Sequence, residues 1–101
     1  MAQLALNNTV SVSTTSVQGL PDRSSQSGSK RAMFAITALT AGVVVTIAKG
    51  GVAAVANNGV VLQVNQSYVE SNDSGFRCWQ GPIQIIADGA GTVAVSETTE
   101  D

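Results

Sequence analysis

The fold is decided within residues 43–64, which read VVVTIAKGGVAAVANNGVVLQV. The first six of these residues are rich in β-branched side chains, which favour strands because they lose rotamer freedom in helices. Lys-Gly-Gly at 49–51 ends this strand, and apolar runs resume at 52–56 and 60–64. The last two runs are separated by Asn-Asn-Gly at 57–59, and Asn-Gly between apolar runs is a strong hairpin signal because both residues tolerate positive φ. The stretch therefore predicts short strands joined by turns.

Similar short strands are predicted along the rest of the chain. They lie at 33–39, 43–48, 52–56, 60–64, 66–70, 76–79, 83–87 and 92–96. About eight strands at roughly 8–10-residue spacing are typical of antiparallel sandwiches and small barrels. We therefore predict an all-β domain, a small antiparallel β-sandwich or barrel of jelly-roll type. The alternative for 32–41 is a short helix.

Composition divides the chain into four segments. They are an extended N-terminal arm at 1–17, a Ser/Gly-rich linker or loop at 18–31, the β domain at 32–97 and an acidic tail at 98–101. The polar residues from Ser96 onward are expected to fray.

The N-terminal arm alternates polar and apolar side chains and would reach about 50 Å at roughly 3.3 Å per residue. Such an arm can add a strand to a neighbouring subunit's sheet edge, burying Leu4, Leu6, Val10 and Val12 there. The alternative is an intramolecular first strand joined by a long surface loop. We favour the intermolecular arm, because long structureless loops are uncommon inside compact domains.

Charged residues are few and unevenly placed. They make up 12% of the chain, about half the usual share of roughly 25%. Between 32 and 69 the one charged residue is Lys49. By alternation, several strands are apolar or small and neutral on both faces, whereas a two-layer domain buries one face of each sheet. The second face therefore predicts a protein partner, and we expect the chain to be buried in an assembly.

The inventory of reactive side chains argues against catalysis. The chain has no His and one Cys, so it lacks the commonest general base, a thiolate zinc site and an internal disulfide. The seven acidic residues are expected to be solvated at turns and at the tail, the alternative being a carboxylate pair that acts as acid and base. We predict a protein that is not an enzyme and uses neither a metal nor a cofactor.

Net charge and hydropathy also limit the classes of partner that the chain can have. A formal net charge of −2 argues against nucleic-acid binding. The absence of a long apolar run and of a signal-peptide pattern argues against a membrane span and against secretion.

Three side chains between 68 and 79 are candidates for contact or reactivity. Cys78 is expected to be buried and inert, the alternative being a reactive thiol beside Arg77. Tyr68 and Trp79 are expected to be half-exposed, where a ring serves as a protein-contact anchor or a sugar-stacking platform. For Trp79 the alternative is a ring that caps one end of the core.

A known class of proteins is resembled by the region from about 36 to 97, together with the terminal stretch that ends at 100. The stretches concerned are AKGGV at 48–52, ANNGV at 56–60, NQSYVESN at 65–72, GFRCWQG at 75–81 and TVAVSETTE at 92–100. In style the chain is similar to the small β-rich accessory virion proteins of tailed bacteriophages, which are capsid decoration or cement proteins and related head or tail appendages. The resemblance implies a non-enzymatic protein, often trimeric, that binds the outer face of a capsid lattice and reinforces it.

The resemblance also implies partners and a location. The arm is expected to contact the major capsid protein, and Arg23, Lys30 and Arg31 are expected to meet an acidic capsid surface. The chain would be a homo-oligomer, with a trimer expected, made in the host cytoplasm and located on the capsid exterior of the virion. The alternative function is a receptor- or glycan-binding appendage module in which Tyr68 and Trp79 stack on a sugar.

Overall fold

A computed structural model describes residues 3–24 and 30–100 of the chain. Across these residues the regular structure consists of strands, without a helix. They are β1 (Gln3–Val12), β2 (Val17–Leu20), β3 (Lys30–Ala38), β4 (Val45–Lys49), β5 (Val60–Leu62), β6 (Ser67–Ser71), β7 (Ile83–Ala87) and β8 (Gly91–Glu100). The all-β prediction is confirmed, and the helical alternative for 32–41 is wrong because most of that range belongs to β3.

The strands form two antiparallel sheets packed as a β-sandwich. Sheet 1 has the strand order β1-β8-β3-β6, and sheet 2 has the order β2-β7-β4-β5. No helix in the described ranges is long and apolar enough to cross a membrane.

Alternation along the strands builds the core between the sheets. Inward-facing side chains come from every second residue of the long strands, because successive side chains point to opposite faces of a sheet. Sheet 1 supplies Phe34, Ile36, Ala38, Val93 and Val95, and sheet 2 supplies Val45, Ile47, Ile83, Ile85 and Ala87; all are buried.

A β-bulge in β3 changes which residues face inward. Arg31 pairs with Thr99 of β8, but Met33 pairs with the adjacent Thr98, so Ala32 is an extra residue. Such a bulge locally reverses the alternation. Without it, Arg31 would share the outward orientation of Met33; with it, Arg31 points into the protein and is completely buried.

Two predicted strands are not formed. Residues 52–56 belong to a long connection between β4 and β5, and 76–79 make a single bridge, Asp73 with Phe76. Asn57 and Gly59 adopt positive φ, whereas Asn58, the asparagine of the Asn-Gly pair, does not. The connection nevertheless spans 50–59 rather than the two residues of a tight hairpin, because the run at 52–56 does not pair within a sheet; Ala54 is buried, whereas Val52 and Val55 are exposed.

The ends of the described chain belong to the sandwich. β1 pairs with β8 of the same chain over all ten of its residues, from Gln3 with Glu100 to Val12 with Gly91. Residues 3–12 therefore form an intramolecular first strand, which was the alternative to an intermolecular arm. The expected fraying from Ser96 onward is wrong as far as Glu100, because these residues lie in β8 between two partner strands and the side chains of Glu97 and Thr99 are buried.

The predicted linker at 18–31 is also partly ordered into the sheets. Its first residues lie in β2 and its last two begin β3, while 25–29 lie outside the described residues. β2 follows β1 directly and is placed in the opposite sheet. The sandwich thus includes strands on both sides of the Ser/Gly-rich segment.

Candidate interaction surface

The outer face of sheet 1 is broad and lined by small neutral side chains. All four strands contribute residues that alternate with the core positions, and these residues are half-buried or exposed. They are Ala5, Asn7, Thr9 and Ser11 of β1, Ala94, Ser96 and Thr98 of β8, Met33, Ala35 and Thr37 of β3, and Ser67, Val69 and Ser71 of β6. We call this set the outer face of sheet 1; it contains no charged residue.

Hydrogen bonds within this face join polar groups of neighbouring strands. The Ser96 hydroxyl donates to Asn7 Oδ1 at 2.7 Å, and the hydroxyls of Thr37 and Ser67 are 2.7 Å apart. Charges lie just beyond one end of this set, where Lys30 and Glu100 pair in register across β3 and β8. The centre is therefore a flat surface of hydroxyl, amide and methyl groups whose desolvation does not require burying a charge.

The outer face of sheet 2, in contrast, is covered in part by the 50–59 segment of the same chain. The amide of Asn57 donates to Thr46 Oγ1 at 3.0 Å, and the amide of Ala54 donates to Ser16 Oγ at 2.8 Å. Ser16 precedes β2 and Thr46 lies in β4, so the segment crosses β7 between them. Thr46 is 2% exposed as a result. The two outer faces therefore differ, because this segment covers part of sheet 2.

Two of the three basic residues expected to reach a capsid are held by one buried carboxylate. The Nε of Arg31 donates to Glu97 Oε2 at 2.7 Å, and the Nη2 of Arg23 donates to Glu97 Oε1 at 2.6 Å. Arg31 also donates to the carbonyl oxygens of Pro21, Trp79 and Gly81. The prediction that Arg31 contacts a partner is therefore wrong, because its guanidinium is buried and its hydrogen bonds are made within the fold.

Arg23 and Lys30 lie nearer the surface than Arg31. The Arg23 side chain is 32% exposed. Lys30 is exposed, and its Nζ lies 3.4 Å from the carbonyl oxygen of Arg23. Burial raises the pKa of Glu97, but hydrogen bonds and charge from Arg23 and Arg31 outweigh it, so that the pKa is lowered and the carboxylate stays ionised.

A second buried carboxylate, Glu70, lies in β6, an edge strand of sheet 1. Glu70 Oε2 accepts hydrogen bonds from Lys49 Nζ at 2.7 Å and from the Tyr68 hydroxyl, and Glu70 Oε1 accepts from the Trp79 amide at 2.9 Å. Burial raises the pKa of Glu70, and these three donors more than offset it, so the pKa is lowered. The pKa of Lys49 is raised, chiefly by its hydrogen bond to Glu70.

The two aromatic residues expected to bind a partner or a sugar are engaged within the fold. The Tyr68 ring lies 5.9 Å from the Phe34 ring, centroid to centroid, and Lys49 Nζ lies 5.8 Å from its centroid. The Trp79 ring packs on the core and against Gly81, and its Nε1 donates to the Pro82 carbonyl at 3.0 Å. The arrangement is that of rings that complete the core, and it favours the core-capping alternative for Trp79.

The apolar residues of the predicted arm all share one face of β1 but differ in exposure. Val12 is buried and Val10 is half-buried beneath sheet 2, whereas Leu4 is 66% and Leu6 44% exposed. Their cross-strand partners in β8 face inward, Thr99 opposite Leu4 and Glu97 opposite Leu6. The two leucines therefore lie where the inner face of sheet 1 extends beyond the cover of sheet 2.

Cys78 is a buried thiol, as predicted. It is 2% exposed, its Sγ donates to the Arg31 carbonyl at 3.2 Å, and burial raises its pKa. A thiol with a raised pKa is a weak nucleophile at neutral pH because the thiolate is the reactive form.

Three other acidic residues lie at turns, where their carboxylates accept hydrogen bonds from backbone amides. Asp22 accepts from Ser24, Asp73 from Ser74 and Asp88 from Val44. The expectation of solvated carboxylates is confirmed for these three and is wrong for Glu70 and Glu97. Within the described part of the chain, no three His, Cys, Asp or Glu residues are grouped so that they could hold a metal ion.

The chain matches no protein-family model, no curated protein and no solved structure. The resemblance to phage accessory proteins stays a hypothesis.

Proposed function

We propose that this chain is a non-enzymatic structural protein that binds and stabilises a bacteriophage capsid, as decoration or cement proteins do. The observation that supports the proposal is the outer face of sheet 1, which is formed by uncharged side chains, whereas the corresponding face of sheet 2 is partly covered by the 50–59 segment. The capsid as the partner comes from the sequence resemblance. A copy that binds the assembled lattice and not its free subunits stabilises that lattice by mass action.

The size of the face suits repeated, individually weak contacts. Four strands about 4.8 Å apart and about eight residues long, at about 3.4 Å per residue, span on the order of 500 Å². Stable one-to-one complexes bury about 800 Å² on each partner. Attachment through this face therefore gains from self-association, because linked copies bind a repeating lattice with higher avidity.

The proposal is tested by placing a charge at the centre of the outer face of sheet 1. Ala35 lies in β3 between Val69 of β6 and Ser96 of β8. Ala35→Arg is expected to weaken cosedimentation with purified mature capsids of the phage that carries the chain at least about tenfold, which corresponds to 1.4 kcal/mol. A point substitution is preferable to deletion of β1, because Val12 is part of the core.

Val61→Arg is the matched control, because Val61 is 41% exposed on β5, in the other sheet. It is expected to bind capsids like the native protein. Equal binding by Ala35→Arg and the native chain, with both folded by circular dichroism, would contradict the proposed surface.

A further inference from the structure

The four edge strands of the sandwich differ in how they are protected. β2 has four residues with a register shift and is followed by Pro21, β5 has three residues and β6 has five. β1 has ten residues, contains neither a charged residue nor a proline, and pairs with β8 without a register shift. Sheet edges are normally blunted by charge, proline, bulges or short length. β1 has none of these protections and is a template for a further strand.

The backbone groups that β1 presents at this edge follow from the β8 register. The Leu39 amide donates to the Thr92 carbonyl, so Thr92 and every second residue after it direct their backbone groups toward β3. The intervening residues of β8, beginning with Val93, bond to β1, where Val93 pairs with Val10. Even-numbered residues of β1 are therefore satisfied by β8. The free amide and carbonyl groups belong to the odd-numbered residues Ala5, Asn7, Thr9 and Ser11.

One of these free groups is satisfied locally in the single chain. The Thr9 amide donates to Asn8 Oδ1 at 2.9 Å, which is the orientation expected of a donor that points away from β8. Pairing with another strand would exchange this bond for an interstrand one. The side chain of Asn8 is exposed, so it is free to turn away.

We propose that β1 pairs antiparallel with β1 of a second copy of this chain, about a twofold axis at Asn8. In this register the odd-numbered residues form the hydrogen-bonded pairs, Ala5 with Ser11 and Asn7 with Thr9. The even-numbered residues place Leu4 opposite Val12 and Leu6 opposite Val10. The sheets of the two copies become one sheet of eight strands.

This register covers the exposed leucines. Leu4 and Leu6 lie on the inner side of sheet 1, where their own chain leaves them 66% and 44% exposed. Antiparallel pairing places them beside the apolar residues at the other end of the partner strand. A register shifted by one residue pairs even-numbered residues of one β1 with odd-numbered residues of the other. Because side chains alternate along a strand, the inner face of one sheet then joins the outer face of the other, and the leucines lie beside polar residues. A register centred on Asn7 instead sets Leu6 against Asn8.

The area that this edge can bury reaches the smallest area found in stable, specific dimers. The sandwich is 41 × 24 × 23 Å, and a nine-residue ladder is about 30 Å long at about 3.4 Å per residue. An edge of that length and about 20 Å across two sheets buries on the order of 600 Å² per copy. The total of about 1,200 Å² lies at the lower limit for stable protein interfaces.

The register is tested by disulfide cross-linking of the full chain. Asn8→Cys places two thiols opposite each other at the axis, where Cα atoms of a non-hydrogen-bonded pair are about 4.5 Å apart, within the range for a disulfide. Asn7→Cys is the matched control, because its own copy across the axis is about 8 Å or more away. Under glutathione disulfide, Asn8→Cys is expected to give a covalent dimer. Asn7→Cys and the native chain, whose Cys78 is buried, are expected to give none.

Molar mass in solution provides the second measurement. The native chain is expected to approach twice its 10.3 kDa as concentration rises, and Leu6→Lys to stay at the monomer mass. Val69→Lys is the control, because Val69 is 56% exposed on the opposite edge strand of sheet 1. A monomer at every concentration, a trimer, dimers that survive Leu6→Lys, or equal cross-linking of the two Cys variants would overturn the proposal.

The pairing is separate from capsid binding. It uses the edge of sheet 1, whereas the proposed function uses its outer face, and it predicts a twofold assembly rather than the trimer that the resemblance implies. Both measurements are made on the protein without capsids. Failure of one proposal therefore leaves the other intact.

Discussion

At the scale of single residues, the molecule depends on charges that are neutralised in its interior. Glu97 lies 1% exposed in β8 and is bound by the guanidinium groups of Arg31 and Arg23. Arg31 is completely buried, and its remaining donors are taken by backbone carbonyl groups. Each buried charge is thus paired and hydrogen-bonded, which is the condition under which charges are tolerated in an interior.

Removing the charge of Glu97 should therefore be costly. Glu97→Gln leaves the Arg31 guanidinium buried without a counterion, and breaking a buried pair from one side costs about 3–5 kcal/mol. We expect the free energy of unfolding, measured by urea denaturation, to fall by about that amount. Glu100→Gln on the same strand is the control, since Glu100 is only half-buried. Comparable stability of the two variants would contradict this role of Glu97.

At the scale of elements, the 50–59 segment depends on the glycine with which it ends. Gly59 has φ of 150° just before β5, and a Cβ atom built there would lie 2.3 Å from the Ile47 carbonyl oxygen. Backbone lies against this position, so relief requires β4 and β5 to separate. The close approach positions the segment across sheet 2.

Gly59→Ala is expected to destabilise the fold, because alanine is strained at this φ and collides with β4. The cost of such a backbone conformation is about 1–3 kcal/mol, measurable as a lower thermal midpoint. Gly51→Ala is the matched control in the same segment, since nothing lies within 4 Å of its Cβ position. A midpoint for Gly59→Ala at or above that of Gly51→Ala would refute the argument.

The element scale also explains how far the sequence predicts this structure. Val45 and Ile47 in β4, and Ile83 and Ile85 in β7, follow simple alternation, and the pattern predicts their burial. In β8 every second residue from Val93 to Thr99 is buried. Because Glu97 and Thr99 are polar, the sequence does not predict their burial. A local pattern cannot show that a charge 66 positions away neutralises Glu97.

Two other differences have the same kind of cause. The inward orientation of Arg31 depends on the bulge at Ala32, which appears only when β3 and β8 are paired. Residues 52–56 have strand composition, yet they cross sheet 2 without pairing, since β5 already occupies the edge beside β4. The uncharged outer face of sheet 1 can be predicted from the sequence, because the alternating residues that form it are neutral.

At the scale of the whole molecule, the two buried carboxylates Glu70 and Glu97 make stability depend on acidity. The pKa of each is lowered in the folded protein, where burial is outweighed by donors and cations. The unfolded chain therefore binds more protons on acidification than the folded one. Their contribution to stability is present above the unfolded pKa of about 4.3 and is lost as the pH falls through the lower folded pKa.

We accordingly expect the thermal midpoint to decrease as the pH is lowered from about 5 to about 3. In Glu97→Gln the decrease should be shallower, because one of the two linked protonations is gone. Calorimetry at a series of pH values measures both curves. Parallel curves for the native chain and the variant would show that Glu97 does not contribute to acid sensitivity.

The pairing of β1 with β8 has a consequence for the order of folding. Leu4 meets Thr99 only after most of the chain has been synthesised, so β1 leaves the ribosome long before its partner exists. Closing so long a loop is entropically unfavourable until the other strands have assembled, and sandwiches rich in distant contacts fold in milliseconds to seconds. During that interval both edges of an uncharged ten-residue strand are unpaired, and each edge can pair with another chain.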